Sequence, residues 1–366
     1  MERFDVVVIG AGPAGSAAAI RLAEAGASTL LLDRARFPRD KPCGGGLTMR
    51  AIRQLPFSVE PVVEERITRV RCRLRYGSQV EHESERELCL MTQRRRLDEH
   101  LAGQAAARGA VFRDGVRVER LDGTTVVADG RRIEARVVIA AGGANGTAGR
   151  ADGAVHGAAL EGNAPYGAGL LRDRALFEFG SVPGGYGWVF PKGDHVNVGV
   201  GGWQSEGPRL RAHLARLCGR LGLGVGELAD LRGHRLPMRR SLAGLAQGRV
   251  AAVGDAGALV DPLSGDGIYE AFLSARLAAE AALDVLAGRA DSLDAYPHRL
   301  AEHHGRHLAA SWTAKAVLDR HPRVVYALTP VVWPVVERLL RGELAAPGDA
   351  RGPVRAPLRA LSLLGR

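Results

Sequence analysis

Short apolar runs rich in branched residues recur at 4–9, 29–32, 136–141 and 249–253, and glycine or aspartate follows each. Unbroken runs of this length, bounded by turn residues, read as strands buried on both faces. An alanine-rich segment starts at Pro13 and stops at Gly26, so it reads as a helix. Leu97, Leu101, Ala105 and Arg108 repeat near helical spacing before Gly109. Ile268, Ala271, Phe272, Ala275, Ala278, Ala279 and Ala282 do so with a narrow, alanine-lined stripe. Elsewhere the period falls to two. From Val70 onward, Cys72, Leu74 and Tyr76 alternate with Arg71, Arg73 and Arg75, which predicts a half-exposed strand. Gly77-Ser78 then turns the chain into a returning strand pair over 79–91. Further strands are expected at 111–112, 116–118, 125–127, 175–179 and 196–200. The pattern predicts an α/β domain with a mainly parallel sheet, assembled from 1–48, 94–150 and 248–290. An α+β substrate domain on an antiparallel sheet, 49–93 plus 151–247, interrupts it. A helical part, 291–366, closes the chain.

The first strand runs straight into Gly10-Ala11-Gly12-Pro13-Ala14-Gly15. This is the Rossmann-type G-x-G-x-x-G pattern in the right context, strand before and helix after. Gly10 allows the tight turn, Gly12 the approach of a pyrophosphate, and Gly15 close helix–strand packing. The free N–H groups of the helix start suit the phosphates. The second strand ends in Asp33, an acceptor for an adenosine ribose. Late in the chain, Gly254-Asp255 ends another strand, and a second glycine turn, Pro262 to Gly267, feeds the helix at Ile268. Two helix N-termini then face one ligand, one at the pyrophosphate and one at a second electron-rich group; a flavin ring gaining negative charge on reduction fits the second. Between these lies a loop, 34–47, with two prolines and then Cys43-Gly44-Gly45-Gly46. Three glycines strip side chains from one surface, where a flat ring or phosphate can lie. Cys43 is either a packing residue or a group facing cofactor or substrate. Tyr186, Trp188 and Phe190 alternate, so a strand puts them on one face, as a core stripe or an apolar ligand wall.

Composition narrows the function classes. The 366 residues, 46% hydrophobic with 48 glycines, suit a loop-rich α/β protein. The net charge of +10 favours anionic partners. Nucleic acid is not among those expected, because no zinc-finger, RRM-like or basic-helix pattern occurs, and Arg94-Arg95-Arg96 reads as a solvated helix face. The four cysteines, Cys43, Cys72, Cys89 and Cys218, are widely spaced, which argues for reduced thiols, a cytoplasmic location and no metal site. The first apolar run carries Asp5 and is too short for a signal peptide, and no uncharged run reaches the ~20 residues of a membrane span. The apolar stretch 324–336, interrupted by Pro330 and Pro334 and flanked by arginines, has two readings. It closes over a cavity, the favoured one, or docks peripherally on a membrane surface. The basic tail from 351 is a short amphipathic helix or disordered. The expected assembly is a monomer or weak dimer.

Together, Gly10-x-Gly12-Pro13-Ala14-Gly15, Asp33-Arg34 and Gly254-Asp255 resemble the FAD-dependent oxidoreductases of the aromatic-hydroxylase type. Arg94, four residues before Asp98, matches that superfamily's Arg-x-x-(Phe/Leu)-Asp helix start near the flavin. Lys41-Pro42-Cys43-Gly44-Gly45-Gly46 and Pro183-x-x-Tyr186-x-Trp188-x-Phe190-Pro191 are similar to two motifs of the geranylgeranyl reductases. The likeness runs from residue 1 to about 290. It implies FAD as cofactor, with Asp255 on the ribityl chain. Val116, Ala141 and Gly142 would add cofactor contacts beside the first glycine turn, Asp33, Arg34 and Arg94. Cys43, Gly44 and Gly45 would do so from the loop, and Pro262, Gly265, Asp266, Gly267 and Ile268 from the second turn. Gly46, Tyr186, Trp188, Phe190 and Pro191 would line the isoprenoid channel, with Cys43 or Tyr186 helping to deliver a proton. The implied reaction is hydrogenation of C=C bonds in a polyprenyl (geranylgeranyl-type) lipid. The chain departs from the superfamily at Gly143, where hydroxylase-type relatives carry an acid, and at Asp266, where relatives often have Glu. The first departure leaves the electron donor open between NAD(P)H and a ferredoxin-type protein. A flavin monooxygenase or halogenase acting on an apolar or aromatic small molecule shares the glycine motifs and is the alternative. A non-catalytic basic binding protein is a third.

Overall fold

The computed structural model describes residues 2–146, 153–166 and 172–365. The first apolar run forms the strand Glu2–Ile9 at the centre of a sheet. Arg131–Ala140 and then Val250–Ala252 lie parallel on one side of it, Thr29–Leu32 and then Val111–Arg113 on the other. Ala246–Gln247 caps one edge in the antiparallel sense. Val6 and Val8 pack into the cluster that holds the helices Pro13–Glu24 and Ile268–Leu286. Val7 and Ile9 pack the other way, under the meander Val118–Asp122 and Thr125–Ala128. Burial on both faces explains why the run shows no alternation. Register places Ile9 beside both Leu32 and Ala140, so Gly10, Asp33 and Ala141 emerge together at one edge.

The alanine stripes let the two helices approach closely. Ala14, Ala17, Ala271, Ala275 and Ala278 share that core. A Cβ on Gly254 would sit 3.0 Å from the Ala14 Cβ and 3.4 Å from the Ala271 Cβ. Gly254 is thus the spacer that brings both helix N-termini to the same edge of the sheet.

The second sheet has seven strands, in the order Ala229–Met238, Val155–Pro165, His195–Trp203, Tyr186–Lys192, Arg174–Phe179, Arg69–Leu74 and Gln79–Glu83. It is antiparallel except where Arg174–Phe179 runs parallel to Arg69–Leu74. The half-exposed alternation appears as expected: Val70 and Cys72 are buried, while Arg69 and Arg71 pair across the strands with Glu83 and Glu81. That strand ends at Leu74 because Arg75 and Tyr76 enter the left-handed region, φ 50° and 60°. The segment expected as one returning pair divides between sheets. Its second strand, Cys89–Met91, joins Gly46–Thr48 and Glu65–Ile67 in a small three-stranded sheet.

Three long helical pieces follow: Ala295–Arg320, Pro322–Leu340 and Arg355–Leu364. The prolines expected to interrupt the second do not; the helix runs through Pro330 and Pro334. A proline at 330 takes the amide partner from the Tyr326 carbonyl, and the Thr329 hydroxyl donates to that carbonyl at 2.7 Å instead. This helix lies on the strands Arg69–Leu74 and Gln79–Glu83. Trp333 stacks on His82 with centroids 4.4 Å apart, and Tyr326 and Leu340 pack on the Val70–Cys72 cluster. The tail forms the helix Arg355–Leu364, which buries no residue. Among the described residues no helix is long and apolar enough to cross a membrane.

Candidate active site

One cavity of about 740 Å3 begins at the first glycine turn, passes between the two sheets and ends under the aromatic strand Tyr186–Lys192. Its first end is built by conformations only glycine accepts. Gly10 has φ +103°, and a Cβ there would lie 2.4 Å from the Ala141 carbonyl oxygen. A Cβ on Gly15 would lie 1.7 Å from the Gly10 carbonyl oxygen, so that glycine serves helix–strand contact. Gly12 precedes the helix with no side-chain cap. The groups nearest a Cβ there are the guanidinium nitrogens of Arg39 at 3.4 Å and Arg94 at 3.9 Å.

Those two arginines share one carboxylate. Arg94 makes two hydrogen bonds of 2.9 Å to Asp98, and Arg39 approaches the same group at 2.7 Å. Arg39 also lies 3.5 Å from Asp33 Oδ2, so two carboxylates hold these two guanidiniums beside Gly12. Arg94 opens its helix, Arg94–Ala107, at the end where a cation is disfavoured by the helix dipole. Burial also works against its charge, and Asp98 outweighs that and keeps it protonated. A helix dipole, uncapped N–H groups and two guanidiniums facing Gly12 make this end fit a pyrophosphate.

Asp33 accepts from the Ala11 amide at 2.8 Å and the Ala35 amide at 2.9 Å, which fixes the loop around the adenosine end. Arg34, Val116, Ala141 and Gly142 complete that part of the wall. Asp255 lies further along, 2.9 Å from the Lys41 ammonium and 3.6 Å from His234 Nε2. Burial opposes its ionisation, and Lys41 and His234 override this and hold the carboxyl far below its usual range. Pro262, Gly265, Asp266, Gly267 and Ile268 line the next stretch.

The cysteine-glycine loop crosses the middle of the cavity. A Cβ on Gly44 would meet the Phe190 ring at 2.8 Å and Trp188 Nε1 at 3.6 Å. Gly45 has φ +78°, and a Cβ there would meet the Thr92 carbonyl oxygen at 2.1 Å. The Gly45 amide donates to the Cys43 sulfur at 3.3 Å. Opposite, Tyr186, Trp188 and Phe190 share one face of their strand, as the alternation implied, and join Phe177 in a cluster with centroids 5.2–6.3 Å apart. The Trp188 indole donates to Asn197 at 2.8 Å, and the bare Gly199 gives it room. The Tyr186 hydroxyl donates to the Ser264 carbonyl. Burial, together with the nearby Asp266 and Asp261, pushes its pKa up, so it holds its proton firmly.

Of the expected site residues, Gly15, Gly254 and Pro191 are not on the cavity wall. The first two are packing spacers, and strand parity turns Pro191 away from its neighbour Phe190. Cys43, Gly46 and the other expected positions are on the wall.

The FAD binding domain family matches residues 3–162. The menaquinone reductase of Mycolicibacterium smegmatis is 34% identical over 365 residues, covering 90% of this chain and 88% of the relative. The geranylgeranyl diphosphate reductase of Rhodobacter capsulatus is 33% identical over 304 residues, 78% of this chain and 76% of the relative. The chain belongs to the geranylgeranyl reductase family of FAD-dependent oxidoreductases. A solved structure of a geranylgeranyl bacteriochlorophyll reductase-like protein from Thermoplasma acidophilum superposes with a TM-score of 0.82 at 22% identity, covering 99% of this chain and all, 100%, of that one.

Membership makes the protein an FAD-dependent oxidoreductase, and the cavity's first end has the form its cofactor needs. The reductase fold also brings in residues that motif reading passed over. Arg39 and His234 face the cofactor end. Glu161 lies on the strand Val155–Pro165 with Gly157 and Ala159, all three on the cavity wall. Burial raises its carboxyl pKa, with Lys192 and the Cys43 backbone pulling the other way. The signal for it was a lone acid in step with Gly157 and Ala159 on one strand.

Proposed function

We propose that this protein hydrogenates C=C bonds of a polyprenyl chain, and that the chain is carried by a quinone. The observation behind the reading is the continuity of one cavity. From the second glycine turn it passes onto a wall made of Ile67, Val70, Met91, Phe177, Trp188 and Phe190, with no charged group among them. An aliphatic chain suits such a wall, since burial contributes about 0.8 kcal/mol per methylene. The quinone is favoured because the menaquinone reductase of Mycolicibacterium smegmatis aligns with 90% of this chain, against 78% for the Rhodobacter capsulatus geranylgeranyl diphosphate reductase.

Bound FAD in its reduced form supplies a hydride. An isolated alkene accepts hydride poorly, so a proton must reach the second carbon in the same event. Glu161 fits the donor's role best, because it lies on the cavity wall beside the Cys43 backbone and burial raises its carboxyl pKa above the ordinary value. The Cys43 thiol is the second candidate. Tyr186 serves instead to tie the aromatic strand to the glycine turn through Ser264. Lys192 donates to the Cys43 carbonyl at 2.8 Å and steadies the loop between them. The packed aromatic face and the helix Pro322–Leu340, through Leu340, exclude water.

The test is anaerobic incubation of the chemically reduced holoenzyme with menaquinone, with geranylgeranyl diphosphate and with a geranylgeranylated phospholipid. A mass gain of two hydrogens per double bond that persists after the quinone ring is reoxidised in air, largest for menaquinone, supports the reading. Glu161→Gln slows product formation at unchanged flavin content. An unchanged lipid, or oxygen appearing in the product once air is admitted, favours the monooxygenase alternative.

A further inference from the structure

Beneath the second glycine turn lies a buried cluster of ionisable groups, of which Arg50 and Asp266 reach the cavity wall and the rest lie behind it. Arg50 comes from the short helix Met49–Ile52, and Asp261 and Asp266 bracket the turn. Glu270 stands in the first turn of Ile268–Leu286, and His304 and His307 come from Ala295–Arg320. Glu270 and Asp261 are each 2% exposed and His304 is 3% exposed. Both oxygens of Glu270, one of Asp261, one of Asp266 and His307 Nδ1 are buried without a hydrogen-bond partner.

Each aspartate works on two sides. Asp261 Oδ1 accepts from the Leu263 and Ser264 amides at 3.1 and 2.8 Å, and Asp266 Oδ1 from the Ile268 amide at 2.9 Å. These bonds hold the turn whose residues line the cavity. The opposite oxygens face the cluster: Asp261 Oδ2 lies 3.3 Å from His307 Nε2, and Asp266 Oδ2 lies 3.8 Å from Arg50. Glu270 lies 3.8 Å from both Arg50 and His304 Nε2.

The arrangement is poised between protonation states. His307 Nε2 is 3.2 Å from the Arg50 guanidinium, which only donates, and 3.3 Å from the Asp261 carboxylate, which accepts when ionised. No single neutral tautomer serves both. Three carboxyl groups also face one guanidinium, so full ionisation leaves an uncompensated buried charge, which is strongly disfavoured. Asp261, Glu270 and His307 are close enough to hold a metal ion. Arg50, against the same imidazole nitrogen, places a cation there already. The groups facing Glu270 are Arg50, Asp261, Asp266, Tyr269, His304 and His307. Lys315, Cys89 and Tyr186 lie in the next ring outward.

We propose that this cluster is a redox-linked proton-binding site, with Glu270 its proton carrier. It takes up a proton from solvent when two electrons from an external donor make the bound flavin negative over the glycine turn. It releases that proton when the flavin is reoxidised. Burial, reinforced by Asp266 and Asp261, raises the Glu270 pKa well above its usual value; burial also lowers that of His304, to about 3. Protonation is therefore directed to the carboxyl. Linkage is reciprocal, so the cluster's proton also sets how readily the flavin accepts electrons. The inference depends on the cofactor and not on the substrate, and its test uses no lipid.

The FAD-loaded protein is reduced with dithionite in weakly buffered solution, and proton uptake and flavin midpoint potential are followed across the neutral range. Glu270→Gln is expected to lower uptake by a measurable fraction of a proton per flavin and to flatten the potential–pH slope in the same interval. Glu280→Gln, on the outer face of the same helix, is expected to change neither. Reduced-minus-oxidised infrared spectra of the unmutated protein keep the test independent of variant folding. They should show a protonated carboxyl band that responds to the flavin. Uptake and slope identical in Glu270→Gln and the parent, or no such band in the parent, would overturn the proposal.

Discussion

Gly44→Ala isolates the contact between the cysteine-glycine loop and the aromatic wall. Gly44 is not in the left-handed region, so alanine meets no backbone penalty there. The added methyl would sit 2.8 Å from Phe190 Cδ2 and 2.9 Å from Cε2. Carbon atoms rest at about 3.5–4.0 Å, so ring or loop must give by roughly 0.7 Å. The Phe190 ring is held by Phe177 at 5.2 Å and Trp188 at 6.3 Å, both on the cavity wall. The movement therefore narrows the apolar end of the cavity. Overpacking of this size costs about 1–3 kcal/mol, or roughly 5- to 150-fold in half-saturating lipid if the strain falls on the bound state. Anaerobic stopped-flow reoxidation of reduced flavin by the prenyl lipid reads the effect, with flavin content as the control. Gly44→Ala/Phe190→Leu should recover most of the loss, because a smaller side chain restores the gap. Wild-type reoxidation by Gly44→Ala, or no recovery in the double variant, refutes the reasoning.

Gly10→Ala puts a Cβ 2.4 Å from a backbone oxygen at φ +103°, and should yield protein with no retained FAD, destabilised by more than about 2 kcal/mol in denaturant titration. Asp255→Asn should lower flavin affinity. It should also remove a stabilising term that the parent holds above the ordinary carboxyl pKa of 3.8 and loses as pH falls below it, because the folded pKa is depressed. Glu270 carries the opposite sign. Its raised folded pKa means that stability falls as pH rises above 4.5, and Glu270→Gln should flatten that fall by up to about 1.4 kcal/mol per pH unit in apoprotein melts.

The frame was legible because its signals are local. Buried parallel strands write unbroken apolar runs, and the turns at Gly10 and Gly254 demand glycine. The alternation of Tyr186, Trp188 and Phe190 gave the cavity face directly, yet the same period excludes Pro191, one residue further on. Gly15 and Gly254 belong to the motif without facing the ligand, because their work is to bring helices close. What the sequence hid is long-range. Arg39 joins the Arg94–Asp98 pair from a distant loop, and Arg50, Glu270 and His307 converge from three helices. No spacing rule joins residues so far apart. At Pro330 the helix continues because a single hydroxyl, Thr329, serves the carbonyl that the proline leaves without an amide.

Single-turnover reoxidation tests the central claim most directly. The reduced holoenzyme, free of oxygen and excess reductant, is mixed with menaquinone, and flavin absorbance and lipid mass are followed together. The account predicts one prenyl double bond saturated per flavin oxidised, read as a two-hydrogen mass gain that persists after air has returned the ring to the quinone. Flavin that stays reduced with the lipid and reoxidises only in air, leaving every double bond intact, would contradict it.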